Sequence, residues 1–118
     1  MKKIVISLTV IFMSLMMTNL AYAGSGWGGV QIEHVGIWND KNIVFFYTSD
    51  STNKPECNTY NNRWTINLNT EAGKAQYSLI LAAQTAGTRI RVLGLNTCNL
   101  WSNSEDVHWV GFEVNLNN

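Results

Sequence analysis

The sequence has one proline, two cysteines and two histidines in 118 residues, and only 14% of its residues are charged. These shortages exclude most catalytic chemistry. The histidines, His34 and His108, stand far apart, and neither belongs to a metal-ligand spacing such as HExxH. The chain also lacks a GxSxG nucleophile motif and a glycine loop that would cradle a phosphate. We therefore expect a protein that is not an enzyme and that holds no cofactor or metal.

The acidic residues offer no catalytic pair either. Glu105 and Asp106 are adjacent, and adjacent residues of a strand point to opposite faces, so the two carboxyl groups cannot share a proton. We expect His108 to lie on the apolar face of that strand, as a hydrogen-bonded core histidine.

An excess of positive charge is also missing, since eight basic residues balance eight acidic ones. Lys2 and Lys3 lie in a predicted signal peptide, so the remaining domain is slightly acidic. Because phosphate binding needs a basic face, we do not expect nucleic acid as a partner. Asparagine, threonine and serine interleaved with aromatic residues suit a neutral, hydroxylated ligand better.

The only long apolar run is at the N-terminus. Lys2 and Lys3 precede the apolar residues Ile4–Met17, and the small-x-small site Ala21-Tyr22-Ala23 follows. This pattern predicts a signal peptide, residues 1–23, that is removed after Ala23. A transmembrane anchor is the alternative, but the run is shorter than the roughly 20 residues a span needs. We expect a secreted or periplasmic protein, not inserted in a membrane, with one domain over residues 24–118.

The two cysteines, Cys57 and Cys98, both lie in the exported part. In an oxidising compartment they most simply form one disulfide. A reactive thiol or a metal ligand is the alternative, but the sequence has no CxxC motif.

The pattern predicts three strands, one helix and two further strands. Lys74 to Ala86 is rich in helix formers, with Ala75, Leu79, Ala82, Ala83 and Ala86 at helical spacing, and Gly87 stands where a left-handed C-cap belongs. A bulge near His34 would reconcile the two halves of the first strand. The stretch Gly24–Gly29 is expected to be a flexible lead-in. The predicted strands are Val30–Trp38, Ile43–Thr48, Arg63–Leu68, Thr88–Leu95 and Val107–Leu116.

Five short strands with one helix after the third are typical of the OB-fold, a partly open five-stranded Greek-key barrel. We therefore predict a mostly β fold of order βββαββ. A four- or five-stranded sheet with a helix on one face is the alternative.

Several of these segments resemble the B subunits of AB-type bacterial toxins, in particular the subtilase-cytotoxin and pertussis-like group. The resemblance rests on the helix pattern Tyr77–Ala86, the turn Ala86-Gly87-Thr88 leading into Arg89-Ile90-Arg91-Val92, and Val110-Gly111-Phe112 near the end. It implies an OB-fold subunit that forms a homopentameric ring, binds cell-surface glycans and carries an enzymatic A subunit. The chain departs from the group in its loop Ser49–Asn62, and the group's sugar-binding serine matches no residue here.

The two loops joined by the predicted disulfide carry the kinds of side chain that typically bind sugars. An aromatic face stacks on a pyranose ring, while amides, hydroxyls and carboxylates bind its hydroxyl groups. The alternative is that Trp101 only packs and the rest is a solvated turn. The candidate glycan-binding residues are Trp101, Ser102, Asn103, Glu105, Asn58 and Tyr60.

Trp109, Arg89 and Arg91 are candidate interface residues. Trp109 is expected on an outer strand face, as an isolated aromatic in a monomer or an anchor in an oligomer. The arginines could pair with Glu113 or Glu33, or remain solvated. The leading functional hypothesis is a toxin B-subunit-like glycan-binding module. The alternative is a monomeric secreted or periplasmic domain that binds and inhibits another protein.

Overall fold

A computed structural model describes residues 23–26 and 29–113. The predicted signal peptide, apart from Ala23, lies outside this part of the chain. The described residues form a mostly β domain with one α-helix, as predicted. The elements in chain order are β1 (Ile32–Trp38), β2 (Ile43–Thr48), β3 (Arg63–Asn67), α1 (Glu71–Ala86), β4 (Ile90–Gly94) and β5 (Glu105–Phe112).

The five strands form one mixed sheet in the order β1-β2-β3-β5-β4. All neighbouring pairs are antiparallel except β3 and β5, which run parallel through two residue pairs. Just before β1, the N–H groups of Val30 and Ile90 each donate to the other residue's carbonyl, at 2.8 and 2.9 Å. This isolated bridge joins the lead-in of β1 to the start of β4, so the two ends of the sheet meet.

Two bulges decide which side chains face the core. The predicted bulge in β1 is confirmed, because the register shifts between Ile32 and His34. A second bulge was not predicted: Leu93 pairs with Trp109, but Gly94 pairs with Val107, which leaves His108 as the extra residue of β5. His108 is exposed, so its predicted place on the apolar face is wrong.

The helix begins earlier than predicted because Thr70 caps it. The Thr70 hydroxyl accepts a hydrogen bond from the Gly73 N–H at 2.9 Å, a standard N-cap interaction. The predicted C-cap is confirmed, with Gly87 in the left-handed region at φ 68°. The buried face differs from the predicted spacing, since Gly73, Ile80 and Ala83 are buried and most of the alanines face solvent.

The core lies between the inner face of the sheet and the helix. Trp64 is fully buried, stacks on Phe46 with ring centroids 6.5 Å apart, and donates from its indole nitrogen to the Thr48 hydroxyl at 3.0 Å. The apolar side chains of the core cluster are Val30, Ile32, Val44, Phe46, Trp64, Ile66, Ile80, Ala83, Ile90, Val92, Val107 and Val110.

The start of the domain is not a flexible lead-in, at least over Gly24–Gly26. Ser25 and Thr52 exchange two backbone hydrogen bonds, of 2.8 and 2.7 Å, and the Gly26 N–H donates to the Val92 carbonyl at 2.8 Å. The prediction failed because these partners are distant in sequence. Trp27 and Gly28 lie outside the described residues.

The predicted disulfide between Cys57 and Cys98 is confirmed, with Cα atoms 6.1 Å apart. It joins the loop between β2 and β3 to the loop between β4 and β5. In the described part of the chain, no helix is long and apolar enough to cross a membrane.

Candidate functional site

The outer face of β1, β2 and β3 carries a group of aromatic rings. Strand register puts His34 beside Tyr47, and Tyr47 beside Arg63, so these side chains share the face opposite the core. Rings from the two disulfide-linked loops complete the group. We call this surface the aromatic face; its rings are Trp38, Phe45, Tyr47, Tyr60 and Trp101.

Arg63 lies at the centre of the aromatic face. Its guanidinium carbon is 3.4 Å from the Trp101 ring centroid and 3.9 Å from the Tyr60 ring centroid, so the cation contacts both rings. The guanidinium also donates to the Ser104 hydroxyl at 2.6 Å and to the Asn103 side-chain oxygen at 2.5 Å. Arg63 is only 4% exposed. The ion pairs found among the described residues, Lys74 with Glu71 and Arg91 with Glu113, do not include it.

The structure brings Trp101 and Tyr60 together as the sequence suggested. Trp101 makes edge contacts with Trp38 and Phe45, at centroid distances of 4.6 and 5.4 Å, and is half-buried. Tyr60 is 47% exposed. The two loops are held in register by the disulfide and by a hydrogen bond from the Thr59 N–H to the Asn103 carbonyl at 3.2 Å. Trp101 therefore has a packing role, while Tyr60 offers an open aromatic surface.

The other candidate residues divide between this surface and the interior. Ser102 is exposed, and the Asn103 side chain is directed by Arg63. Asn58 is buried, and both polar atoms of its side-chain amide lack a hydrogen-bond partner. Glu105 is fully buried beside Trp64, on the opposite side of the sheet, and does not join the aromatic face.

Asp106 fixes the shape of the loop that carries Trp101. Its carboxylate accepts hydrogen bonds from the Thr97 hydroxyl at 2.6 Å, the Asn99 N–H at 2.9 Å and the Leu100 N–H at 3.1 Å. A further bond comes from the Thr65 hydroxyl at 3.2 Å. Glu105 and Asp106 thus point to opposite faces, as their adjacency predicted.

Sequence analysis missed Arg63 as a member of the site. It opens a strand whose alternate residues Trp64 and Ile66 are buried, but Arg63 itself is buried from the other face. The available signal was register: once β2 and β3 are paired, Arg63 stands opposite Tyr47. To place Arg63 on this face, one must know how β2 pairs with β3 as well as which residues alternate within β3.

A cleft of about 410 Å³ lies on the other side of the Asp106 loop, against the first turns of α1. Its walls mix amides with apolar side chains and include the exposed His108. The Gln76 amide donates to the His108 carbonyl at 3.2 Å. The cleft is lined by Asn67, Thr70, Ala72, Gly73, Gln76, Leu95, Asn99, Leu100, Asp106, Val107 and His108.

The candidate interface residues lie on β4 and β5. Trp109 is 42% exposed, and its ring lies across Gly111. Arg91 forms a two-point ion pair with Glu113, and this hydrogen bonding lowers the pKa of the Glu113 carboxyl and raises the pKa of the Arg91 guanidinium. Arg89 donates twice to the Gly29 carbonyl, at 2.6 and 3.1 Å.

No protein-family model matches the chain, and comparison with curated proteins and with solved structures finds no similar protein.

Proposed function

We propose that the protein is an exported, glycan-binding module that resembles a toxin B subunit. The observation that carries the proposal is the aromatic face with Arg63 at its centre. Partly exposed rings beside amide and hydroxyl groups are the combination that binds the apolar and polar sides of a sugar. The disulfide supports export, because such bonds persist in oxidising compartments.

The sheet supports an OB-fold as the architecture. The order β1-β2-β3-β5-β4, the parallel pairing of β3 with β5 and the Val30–Ile90 bridge are what a closed barrel of this topology requires. OB-folds bind oligosaccharides and oligonucleotides on the face of strands 2 and 3, between the loops that follow strands 1 and 4. Here that face carries Phe45, Tyr47 and Arg63, with Trp38 and Trp101 at its border.

A homopentameric ring is the assembly we propose, with an enzymatic A subunit as a possible further partner. Trp109, on the outer face of β5, is a large aromatic side chain at 42% exposure that an interface would cover. Several copies on one ring would raise the avidity of shallow glycan sites that bind weakly one at a time.

The glycan hypothesis is tested on an array of immobilised glycans, followed by calorimetry with the best binder. Tyr60→Ala removes the most exposed ring of the aromatic face, and we expect about a tenfold loss of affinity, equal to about 1.4 kcal/mol. Leu81→Ala is the matched control, because Leu81 is 40% exposed on α1. Equal affinity of the two variants, or binding to no glycan, would contradict the proposal.

The assembly is tested by light scattering after size-exclusion chromatography. A mass near five protomers supports the ring, and Trp109→Ser should then shift the mass toward the monomer. A monomer at micromolar concentration would remove the ring and favour the alternative, a domain that inhibits another protein.

A further inference from the structure

The most unusual group in the interior is the carboxylate of Glu105. The residue is fully buried at the start of β5. One carboxylate oxygen, Oε2, accepts hydrogen bonds from the Gly24 N–H at 3.0 Å and the Asn96 N–H at 2.9 Å. The other, Oε1, is buried and has no hydrogen-bond partner. A buried carboxylate with an unpaired oxygen is costly unless a cation neutralises it.

No side-chain cation serves this purpose among the described residues, whose ion pairs are Lys74–Glu71 and Arg91–Glu113. The one charged neighbour that acts on Glu105 is Asp106, which has the same sign, and burial raises the pKa of the Glu105 carboxyl. The carboxylate is thus built into the core without a counter-ion.

The predicted cleavage after Ala23 would place a cation at this point. It converts the Gly24 amide nitrogen into an α-ammonium group, and that nitrogen is the atom that lies 3.0 Å from Oε2. Hydrolysis of the Ala23–Gly24 peptide bond consumes one water, whose oxygen goes to the new Ala23 carboxylate and whose two protons go to the Gly24 nitrogen. Oε1 lies against the same residue, 2.1 Å from the position that a Cβ of residue 24 would occupy. We propose that Glu105 is a built-in receptor for the new N-terminus, which it binds as an ion pair once the signal peptide is removed.

The surroundings of the carboxylate fit a backbone group rather than a side chain. A Cβ at position 24 would meet Oε1, and a Cβ at position 94 would come within 1.9 Å of Oε2, so a larger residue at either position would displace the carboxylate. The segment is held in place because the Gly94 N–H donates to the Gly24 carbonyl at 2.8 Å. The Gly24 nitrogen is therefore aimed at the carboxylate before any charge is added.

This inference is independent of glycan binding and rests on the predicted cleavage after Ala23. Its test compares the exported protein, with its N-terminal residue verified by mass spectrometry, with a protein that keeps one extra alanine before Gly24. The extension is compatible with the fold, since Ala23 is accommodated half-exposed. Each form is also made with Glu105→Gln, and with Glu33→Gln as a control that removes an exposed carboxylate.

The first measurement is the pKa of the unmodified α-amino group, followed through the chemical shift of the Gly24 Cα in isotopically labelled protein. In the processed protein we expect it at least one unit above the ordinary value of about 7.7–8.0, which is about a tenfold change in proton affinity. The rise should be absent in the extended protein and in Glu105→Gln, and retained in Glu33→Gln.

The second measurement is the melting temperature, compared first between the processed and the extended protein without any substitution. The processed protein should melt several degrees higher than the extended one, and the gap should close in Glu105→Gln if the two groups are coupled. An exported protein that does not start at Gly24, an α-amino pKa at its ordinary value, or equal melting temperatures for the two forms would each overturn the proposal.

Discussion

Two buried charges of opposite sign lie on opposite sides of the sheet, and their surroundings differ. Arg63 opens β3 on the outer face, where two aromatic rings and the Ser104 and Asn103 side chains surround its guanidinium. Glu105 opens β5 on the inner face, where two N–H groups bind one oxygen and the other oxygen has none.

The difference shows how a protein tolerates a buried charge. The delocalised, weakly hydrated guanidinium can be accommodated by π faces and neutral oxygens. A carboxylate concentrates its charge on two oxygens and needs donors or a cation at both. Arg63 therefore has its partners within the folded chain, whereas in our proposal Glu105 gains a cation only when the N-terminus is processed.

The largest effect should come from removing the outer charge. Arg63→Ala deletes the centre of the aromatic face, and we expect the free energy of unfolding to fall by about 3 kcal/mol or more, measured by urea denaturation. Arg63→Lys keeps the charge but loses the planar stacking, so it should recover only part of this loss. Full recovery in the lysine variant would show that charge alone matters here.

The next effect separates the two rings that contact Arg63. Trp101→Ala should lower the free energy of unfolding by about 2–3 kcal/mol, since the half-buried ring also contacts Trp38 and Phe45. Tyr60→Ala should cost less than about 1 kcal/mol, because about half of the ring already faces solvent. Equal losses of unfolding free energy for the two variants would contradict the packing role of Trp101 and the solvent-exposed role of Tyr60.

A smaller effect is the pH dependence of the inner charge. When a residue precedes Gly24, burial raises the folded-state pKa of Glu105. The ordinary pKa of a glutamate carboxyl is about 4.3, so the free energy of unfolding should fall as the pH rises from there through the raised pKa. In the processed protein the ammonium should lower the pKa of Glu105 below its ordinary value. The free energy of unfolding should then rise as the pH rises through the acidic range. Each unit of difference is worth about 1.4 kcal/mol. Asp106, the charged neighbour, is common to both forms.

Urea denaturation of both forms between pH 3.5 and 7 checks this prediction. Parallel stability curves would mean that the N-terminal charge does not interact with Glu105.

The smallest effect should come from the partly exposed ion pair of Arg91 and Glu113. Arg91 holds the pKa of Glu113 low, so the pair stabilises the fold above the ordinary carboxyl pKa and loses this contribution as the pH falls. Solvent screening makes such pairs weak. Arg91→Ala should shift the melting temperature less than the preceding variants, and high salt should remove the shift. A large, salt-insensitive shift would indicate a structural role beyond the pair.

The parts of the fold that sequence predicted well depend on local signals. Gly87 follows a helical run directly, Ile43–Thr48 is bounded by polar turns, and two cysteines in a domain predicted to be exported have one simple pairing. The bulge near His34 was also readable, because apolar residues changed parity within one strand.

The parts that were missed depend on contacts between distant residues. The bulge at His108 depends on the pairing of β5 with β4. The glycine-rich stretch Gly24–Gly29 at the start of the domain predicts a flexible lead-in, but Gly24 is held by hydrogen bonds with Gly94 and Glu105. The chemistry of Glu105 suggests a place beside Trp101, but the register of β5 against β3 puts its side chain in the core beside Trp64.

The Cys57–Cys98 disulfide also bears on when the domain becomes stable. It closes 41 residues of chain, which should stabilise the fold by about 4 kcal/mol in the chain-entropy model. A newly made chain in a reducing cytoplasm would lack this bond, and its Glu105 would still lack an ammonium partner. If the chain is exported as we propose, both contributions arrive only after export. The precursor would then remain loosely folded and competent for translocation, and a protease-resistant precursor would refute that timing.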